Sequence, residues 1–233
     1  MRLAILSDIH GNLEALAAVE RLLPSLNIDE IICLGDIIGY GADPNPCIEY
    51  IRANAKIVVR GNHDAAIVDH SIIDSFTQRA AAAVRWTIGQ LTPSNFEYLA
   101  SLPLLVTAHN CTFVHSSPFQ PEEWDYIVHP IQTLGLFRNF STTLCFIGHT
   151  HIPVIFGEGT IASSIDRKKK YLVNPGSVGQ PRNGDPRLCF GIFDTDQWAF
   201  NFIRSAYDVE TAAKKIISAG LPVSLGERLY FGT

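Results

Sequence analysis

Short apolar runs alternate with amphipathic stretches along the first half of the chain. Residues 2–7 and 30–34 are two such runs, and apolar positions recur at helical spacing over 13–24 between them. This order predicts a β-α-β unit with parallel strands and a right-handed connection. A third apolar run follows at 57–59. Because each run lacks polar alternation, we expect strands that are buried on both faces.

The second half of the chain is richer in short strands that follow one another directly. A β-α-β beginning and a meander-like end predict two packed sheets covered by helices. In chain order, the further predicted elements are helices at 74–91 and 94–101, strands at 104–108 and 111–114, a helix near 131–139, strands at 144–147, 154–156, 160–162, 170–173, 188–194 and 198–204, and a last helix that ends before Gly220.

A limited set of polar side chains follows five of these strands. In chain order they are Asp8 with His10, Asp36, Asn62 with His63, His115, and His149 with His151. In open α/β sheets the ligand crevice lies at the carboxyl ends of the strands, so we expect these groups to meet. A single histidine at such a position is more often a structural residue than a ligand. Recurrence at five strand ends favours a binding site.

The residue types in this set indicate a metal site. Imidazole and carboxylate donors without thiolates suit Mn, Fe, Co, Ni or Zn, and they do not fit a structural zinc site. Without His63 the set has seven members, too many for one ion and suitable for two ions that share a carboxylate. Asp8 and His10 stand two residues apart, which on an extended segment places both side chains on one side.

Composition limits the alternatives. A length of 233 residues predicts one domain, 1–233, and an apolar fraction of 47% with 18% charged residues is that of an ordinary globular protein. A net charge of −5 disfavours nucleic acid and anionic membranes as partners, and no apolar run reaches transmembrane length. The five cysteines are scattered and never form a Cys-x-x-Cys pair, which predicts reduced cysteines and a cytoplasmic location.

The chemistry-bearing fragments, taken together and in order, resemble the calcineurin-like metallophosphoesterases. The resemblance extends to residues 39–45, residues 174–182 and the closing helix, and it indicates the small bacterial and archaeal branch of the family. It implies an α/β fold with four layers, α-β-β-α, in which two packed mixed sheets are flanked by helices. The matching fragments are Asp8-Ile9-His10, Gly35-Asp36, Gly61-Asn62-His63-Asp64, His115 and Gly148-His149-Thr150-His151.

The resemblance also implies a role for each of the seven donors. One metal would be held by Asp8, His10 and His151, the other by Asn62, His115 and His149, and Asp36 would bridge them. The implied cofactors are two divalent or mixed-valence transition-metal ions, manganese first, with Fe, Zn, Ni or Co as alternatives. The implied reaction is hydrolysis of phosphate monoesters or diesters by in-line attack of a hydroxide that bridges the metals.

Two further residues receive expected roles. The resemblance implies that His63 is the general acid that protonates the leaving group. In the serine/threonine protein phosphatases of the family, an aspartate and an arginine stand where this chain has Gly39 and Tyr40, which argues against that branch. Arg182 is our candidate for the missing phosphate contact, although an exposed loop arginine without a role is an equally good interpretation.

Two alternatives stay open at this point. The substrate is a small phosphoester, or it is a nucleotide such as a dinucleoside polyphosphate (asymmetrical diadenosine tetraphosphate), with Trp124 and Tyr126 available to stack a base at the mouth of the site. From another class, the chain could be a metal-binding scaffold subunit without turnover. The sequence leaves a homo-oligomer open and fixes neither the metal nor the physiological substrate.

Overall fold

The computed structural model describes residues 1–233. It contains eleven strands, most of them four to seven residues long. They are β1 (Arg2–Leu6), β2 (Glu30–Cys33), β3 (Ala55–Val58), β4 (Leu105–Ala108), β5 (Cys111–Val114), β6 (Leu144–Phe146), β7 (Val154–Gly157), β8 (Thr160–Ile161), β9 (Tyr171–Asn174), β10 (Leu188–Asp194) and β11 (Ala199–Ser205).

Seven α-helices and four short 3₁₀ segments connect the strands. The helices are α1 (Leu13–Leu26), α2 (Pro44–Asn54), α3 (Asn62–Ala65), α4 (Gln78–Ile88), α5 (Pro93–Ser101), α6 (Val209–Ser218) and α7 (Val223–Phe231). The 3₁₀ segments are His70–Ser75, Pro121–Glu123, Pro130–Thr133 and Leu136–Arg138. No helix combines the length and the apolar composition that crossing a bilayer requires.

The strands form two mixed sheets. The first has the order β11-β10-β1-β2-β3, in which β1, β2 and β3 are parallel and β10 and β11 run antiparallel to their neighbours. The second has the order β4-β5-β6-β9-β7-β8, with β5, β6 and β9 parallel. The parallel strands run from the centre to one edge of the first sheet and lie inside the second sheet, and the segments that follow them meet at one edge of the molecule.

The alternation of side chains along β1 shows how the two faces of the first sheet are buried. Leu3 and Ile5 face the second sheet and belong to the same apolar cluster as Phe113 of β5. Ala4 and Leu6 point the other way, into a cluster shared with α1 and α2. Each fully buried side chain of leucine or phenylalanine size contributes roughly 1.5–3 kcal/mol to folding. Burial of both faces explains the apolar runs in the sequence.

The outer face of the second sheet has a different cover. Cys145 and Ile147, in and just after β6, pack against Phe137 and Phe140 of the 3₁₀ region. The expectation of two packed mixed sheets flanked by helices is confirmed. The predicted helix near 131–139 is wrong in detail: two 3₁₀ segments stand there, separated by Gly135 with a φ of +87°.

Two other elements differ from the prediction at their ends. The stretch 74–91 holds the end of a 3₁₀ segment and then α4, because Thr77 is extended and caps α4 by accepting the Ala80 N–H. After α6 the chain turns at Gly220 (φ +75°) and forms α7, which the sequence pattern did not predict. Helices α4, α6 and α7 pack together around Tyr40.

Candidate metal centre

The structure brings together all seven side chains that the sequence analysis assigned as donors. Each follows one of the parallel strands of the two sheets, and all are at least 96% buried. The first sheet supplies Asp8 and His10 after β1, Asp36 after β2 and Asn62 after β3, and the second sheet supplies His115 after β5 and His149 with His151 after β6.

The donor atoms fall into two groups that share one carboxylate. The first group comprises Asp8, His10, Asp36 and His151, and the second comprises Asp36, His115 and His149; within each group the atoms lie within 4.8 Å of one another. The Asp36 Oδ2 lies 3.6 Å from His10 Nε2 and 3.4 Å from His115 Nε2. Asp36 is therefore placed to bridge two neighbouring ions.

Each of the four imidazoles in these groups is anchored by a backbone carbonyl. The bonds join His10 Nδ1 to Ile38 O (2.9 Å), His115 Nδ1 to Leu34 O (2.7 Å), His149 Nε2 to Trp124 O (2.8 Å) and His151 Nδ1 to Gln180 O (2.5 Å). A carbonyl oxygen only accepts, so the ring nitrogen beside it must donate. The other nitrogen of each neutral ring keeps a lone pair, which is how metal-ligating histidines are usually oriented.

Several of these inward-facing atoms have no partner within the protein. The His10 and His151 Nε2 atoms lie 3.2 Å apart, which places two lone pairs against each other. Asn62 Oδ1 and His115 Nε2 are buried without any hydrogen-bond partner. Unsatisfied buried polar atoms are costly, and cations at the centre of each group would satisfy them. The residues present therefore fit two metal ions.

Electrostatics favour the same interpretation. Burial lowers the pKa of His149 to about 3 and that of His151 well below its usual range, so both rings are neutral at pH 7, the form in which an imidazole can ligate a metal. Burial also raises the pKa of Asp8 to about 6, and the Asp36 charge adds to the effect. For His115 burial is outweighed by the Asp36 carboxylate, which raises the pKa to about 9. The raised pKa of His115 shows that the two buried carboxylates attract positive charge, which a metal ion would supply in place of the His115 proton.

Five of the seven donors have left-handed backbone conformations. The φ angles are +54° at Asp8, +52° at His10 and Asp36, +66° at His149 and +62° at His151. Asp8 and His10 thus converge through two left-handed residues, and the extended segment assumed from their spacing is wrong. Such conformations cost of order 1–3 kcal/mol each and persist where the surrounding structure enforces them.

A loop from the second sheet holds these strained segments in place. Asn174 Nδ2 donates to Gly148 O at 2.6 Å and to Thr150 Oγ1 at 2.9 Å, which fixes the turn that carries the last two histidines. Ser177 Oγ donates to Asp8 O at 2.8 Å and so links the same loop to the first sheet. The sequence singled out this stretch by resemblance alone, since its role depends on tertiary contacts.

His63 lies beside the donor set, on the first turn of α3. The sequence analysis placed it opposite Asn62 on an extended chain, whereas both residues are helical. Its ring contacts Tyr40 and Phe76, each at 4.7 Å between centroids. Burial lowers the pKa of His63 to about 4, although the Asp36 carboxylate opposes the shift. The ring lines a cavity of about 430 Å³, which is also lined by the donors Asn62 and His149.

Gly39 provides the space that the His63 ring occupies. Its φ is +90°, and a Cβ at this position would overlap His63 Nδ1. We expect Gly39→Ala to displace the imidazole and to remove most of any turnover that depends on His63, with a loss of about 1–3 kcal/mol in stability from backbone strain. Steady-state kinetics and thermal unfolding measure the two effects.

Gly135→Ala is the matched control for this prediction. Gly135 has a φ of +87°, and nothing lies within 4 Å of the position of an added Cβ. The control should therefore lose similar stability and keep its turnover. Equal turnover in both variants would show that the Gly39 position does not control His63.

Comparison with known proteins decides the family. The sequence profile of the calcineurin-like phosphoesterase superfamily domain matches residues 1–198. The chain belongs to the calcineurin-like phosphoesterase superfamily. The resemblance inferred from the five fragments is thereby confirmed.

Similar proteins match most or all of the chain. The chain is 40% identical to the uncharacterized protein MJ0912 of Methanocaldococcus jannaschii, over 99% of this chain and 98% of the relative. It is 28% identical to the phosphodiesterase YfcE of Escherichia coli K12, over 84% of this chain and 89% of YfcE. The crystal structure of a metallophosphoesterase from Sphaerobacter thermophilus superposes with a TM-score of 0.88 at 38% identity, covering 100% of this chain and 99% of that one.

Arg182 faces the cavity in this superfamily member. Its Nη2 donates to Tyr40 Oη at 3.2 Å and to Gln180 Oε1 at 3.2 Å, and its guanidinium carbon lies 5.7 Å from the centre of the Tyr40 ring. The Arg182 guanidinium thus lies beside Tyr40. This is the position at which the sequence analysis noted an arginine in the serine/threonine protein phosphatases of the family. The expected contact between Arg182 and a substrate phosphate stays a prediction.

The sequence analysis missed several other residues that line the cavity, and Phe76, Arg79 and Arg228 are the largest of them. Phe76 and Arg79 precede and begin α4, a stretch in which the sequence showed no obvious reactive group. Arg228 lies on α7, a helix that the sequence pattern did not predict. Only the packing of α4 and α7 beside His63 brings these residues to the site, and no motif signals that packing.

Proposed function

We propose that this chain is a phosphoesterase that uses two divalent transition-metal ions to hydrolyse phosphate monoesters or diesters. The observation that supports it is the pair of donor groups joined by Asp36. Asp8, His10 and His151 would hold one ion, and Asn62, His115 and His149 would hold the other. Manganese is our first choice of metal, and Fe, Zn, Ni and Co share the same donor preference.

The charge balance of the centre supports a phosphate substrate. Two divalent ions would bring four positive charges against the carboxylates of Asp8 and Asp36, while the imidazoles ligate in their neutral form. A surplus of about two positive charges remains to attract a phosphoryl group. When bound, two such ions polarise the phosphoryl group and activate water as the nucleophile.

His63 is the proposed general acid. Its ring borders both the donor set and the cavity, so a leaving oxygen that points outward from the metals would reach it. A general acid must carry its proton when the substrate is bound. An anionic phosphoryl group beside the ring favours the protonated form of His63 and so opposes the lowering of its pKa by burial.

A nucleotide is the second candidate substrate, and the aromatic wall of the cavity favours it. Trp124 and Tyr126 line the cavity, as does Phe76. The Tyr126 ring lies 3.9 Å from the His149 ring and is 48% exposed, so one face of the wall is open to a base.

The name of the relative YfcE, a phosphodiesterase, supports diesters among the simple substrates.

The test is an assay of the Mn²⁺-loaded protein on p-nitrophenyl phosphate, bis(p-nitrophenyl) phosphate, p-nitrophenyl phenylphosphonate and a panel of nucleotides. We expect metal-dependent turnover of at least one ester and its loss on chelation. Nucleotide rates no higher than those on the artificial esters would remove the second candidate. Absence of turnover with every metal and ester would overturn the proposal and favour the scaffold alternative.

The state of the cysteines supports a cytoplasmic location, which we also propose. All five are buried and free. Burial raises the pKa of the Cys111 thiol to about 12, so it carries little reactive thiolate at pH 7. Buried, unpaired thiols are typical of proteins from a reducing compartment.

A further inference from the structure

The side chain of Gln180, in the loop after β9, is buried and makes three hydrogen bonds. Its Oε1 accepts from Arg182 Nε at 3.3 Å and from Arg182 Nη2 at 3.2 Å, and its Nε2 donates to Thr233 O at 3.1 Å. A guanidinium only donates and a carbonyl oxygen only accepts, so these partners fix which way the amide points. Gln180 is 2% exposed, and a buried amide is costly unless both of its ends are bonded. The amide is therefore held between two defined partners.

The main chain of the same residue belongs to the candidate metal centre. Gln180 O accepts from His151 Nδ1 at 2.5 Å, and Gln180 N donates to Ser177 Oγ at 2.8 Å. Both bonds use backbone atoms, so a side-chain substitution at position 180 leaves the anchor of His151 in place. Position 180 thus joins the metal centre, through its main chain, to Arg182, through its side chain.

The bonds to Gln180 and Tyr40 leave one end of the Arg182 guanidinium for a ligand. They use Nε and Nη2, whereas Nη1 has no hydrogen-bond partner in the protein. Arg182 lines the cavity beside the donor set. An arginine side chain has many rotamers, and holding it in one of them before a ligand arrives lowers the entropy cost of binding.

The contacts of Gln180 and Arg182 close into a ring that includes α7. Thr233 O, which accepts from Gln180, also accepts from Arg228 Nε at 2.6 Å. The guanidinium carbons of Arg228 and Arg182 lie 6.0 and 5.7 Å from the centre of the Tyr40 ring. Arg182 is thus restrained by Gln180 on one side and by Tyr40 on the other. The residues that end α7 take part in the site through this ring.

We propose that Gln180 is a positioning residue that holds the Arg182 guanidinium where it contacts a phosphate at the metal centre. This inference rests on the proposed function, because the contact requires a phosphoryl group on the metals. Without the Gln180 amide, Arg182 keeps only its contacts with Tyr40. The freed side chain must then be ordered again each time a phosphate binds.

The experiment replaces the Gln180 amide by an apolar side chain of similar length. On the Mn²⁺-loaded protein with bis(p-nitrophenyl) phosphate, Gln180→Met should raise KM by about five- to tenfold and change kcat by less than about twofold. Metal content by elemental analysis should stay that of the wild type, because the bond to His151 comes from the backbone. An unchanged KM, or a loss of metal, would overturn the inference.

A double-mutant cycle with Arg182→Gln distinguishes positioning from a general structural role. If Gln180 acts through Arg182, adding Gln180→Met to Arg182→Gln should raise KM no further. A structural role would make the two effects multiply, and that result would overturn the inference. Gln180→Asn, one methylene too short to reach Arg182, replaces Gln180→Met if the latter does not fold, with the same expected KM.

Gln90→Met is the matched control, since Gln90 is an exposed glutamine that does not line the cavity. It should match the wild type in KM, kcat and metal content. A KM raised equally in this control and in Gln180→Met would contradict the role of position 180.

Direct titration separates this inference from the proposed function. If no ester is turned over, the proposed function fails, and calorimetric titration of inorganic phosphate onto the same Mn²⁺-loaded proteins still tests Gln180. We expect phosphate to bind about five- to tenfold more weakly to Gln180→Met than to the wild type and to Gln90→Met. Equal affinity in all three proteins, or no binding to the wild type, would contradict the inference.

Discussion

Replacing His63 by alanine is expected to lower kcat on an alkyl phosphodiester by about 10²–10⁴-fold, the usual contribution of a general acid. The leaving alkoxide then departs without a proton. None of the seven donors depends on the His63 side chain, so metal content measured by elemental analysis should not change. Steady-state kinetics on the Mn²⁺-loaded variant provide the measurement.

The leaving group provides an internal check on this prediction. On bis(p-nitrophenyl) phosphate the nitrophenolate is a stable anion that needs little protonation, so the same variant should lose much less activity there. His70→Ala, at an exposed histidine outside the cavity, is the control and should match the wild type on both esters. An equal loss on the two esters would assign His63 a positioning role.

Asp36→Asn is expected to abolish most of the activity, with a loss of at least about 10³-fold, because it removes the shared negative charge between the two ions. Asparagine keeps an oxygen that accepts the His63 N–H, the bond that Asp36 Oδ1 makes at 2.9 Å. The metal-free fold should therefore change little. Removing one of two buried carboxylates also removes their mutual repulsion, which contributes to the raised pKa of Asp8.

The measurement is thermal unfolding with and without Mn²⁺, together with metal content. The wild type should be stabilised by the metal in a concentration-dependent way, and the variant should lose most of that stabilisation. Asp74→Asn, at an exposed aspartate on a 3₁₀ segment, controls for the loss of one negative charge. Two metal ions retained by Asp36→Asn would contradict the bridging role.

The sequence predicted the parts of the fold that depend on local pattern. β1 and β2 are apolar on both faces, and a strand of that kind must lie between two layers wherever it occurs. The convergence of the seven candidate side chains was also predictable, because the carboxyl ends of parallel strands lie at one edge of a sheet. The sequence analysis explained the convergence of Asp8 and His10 by an extended segment, and this explanation was wrong. Both residues have left-handed backbone, which the spacing of two residues does not reveal.

What could not be predicted depends on contacts between distant elements. The interruption at Gly135 separates two 3₁₀ segments within a stretch whose composition is compatible with one helix. Arg79 and Arg228 come from helices far apart in the sequence, and only the packing of α4 and α7 around Tyr40 places them at one cavity. Residue types such as arginine on a helix surface are too common to indicate a site by themselves.

The division of the donors between the sheets has a consequence for biosynthesis. Asp8, His10, Asp36 and Asn62 are translated early, whereas His149 and His151 follow almost ninety residues after Asn62. If the proposed metal centre is right, a nascent chain can offer only part of each coordination sphere until its second half has emerged and folded. Stable metal capture should come late, after translation has passed His151, and it should then tie the early and late halves of the polypeptide to each other.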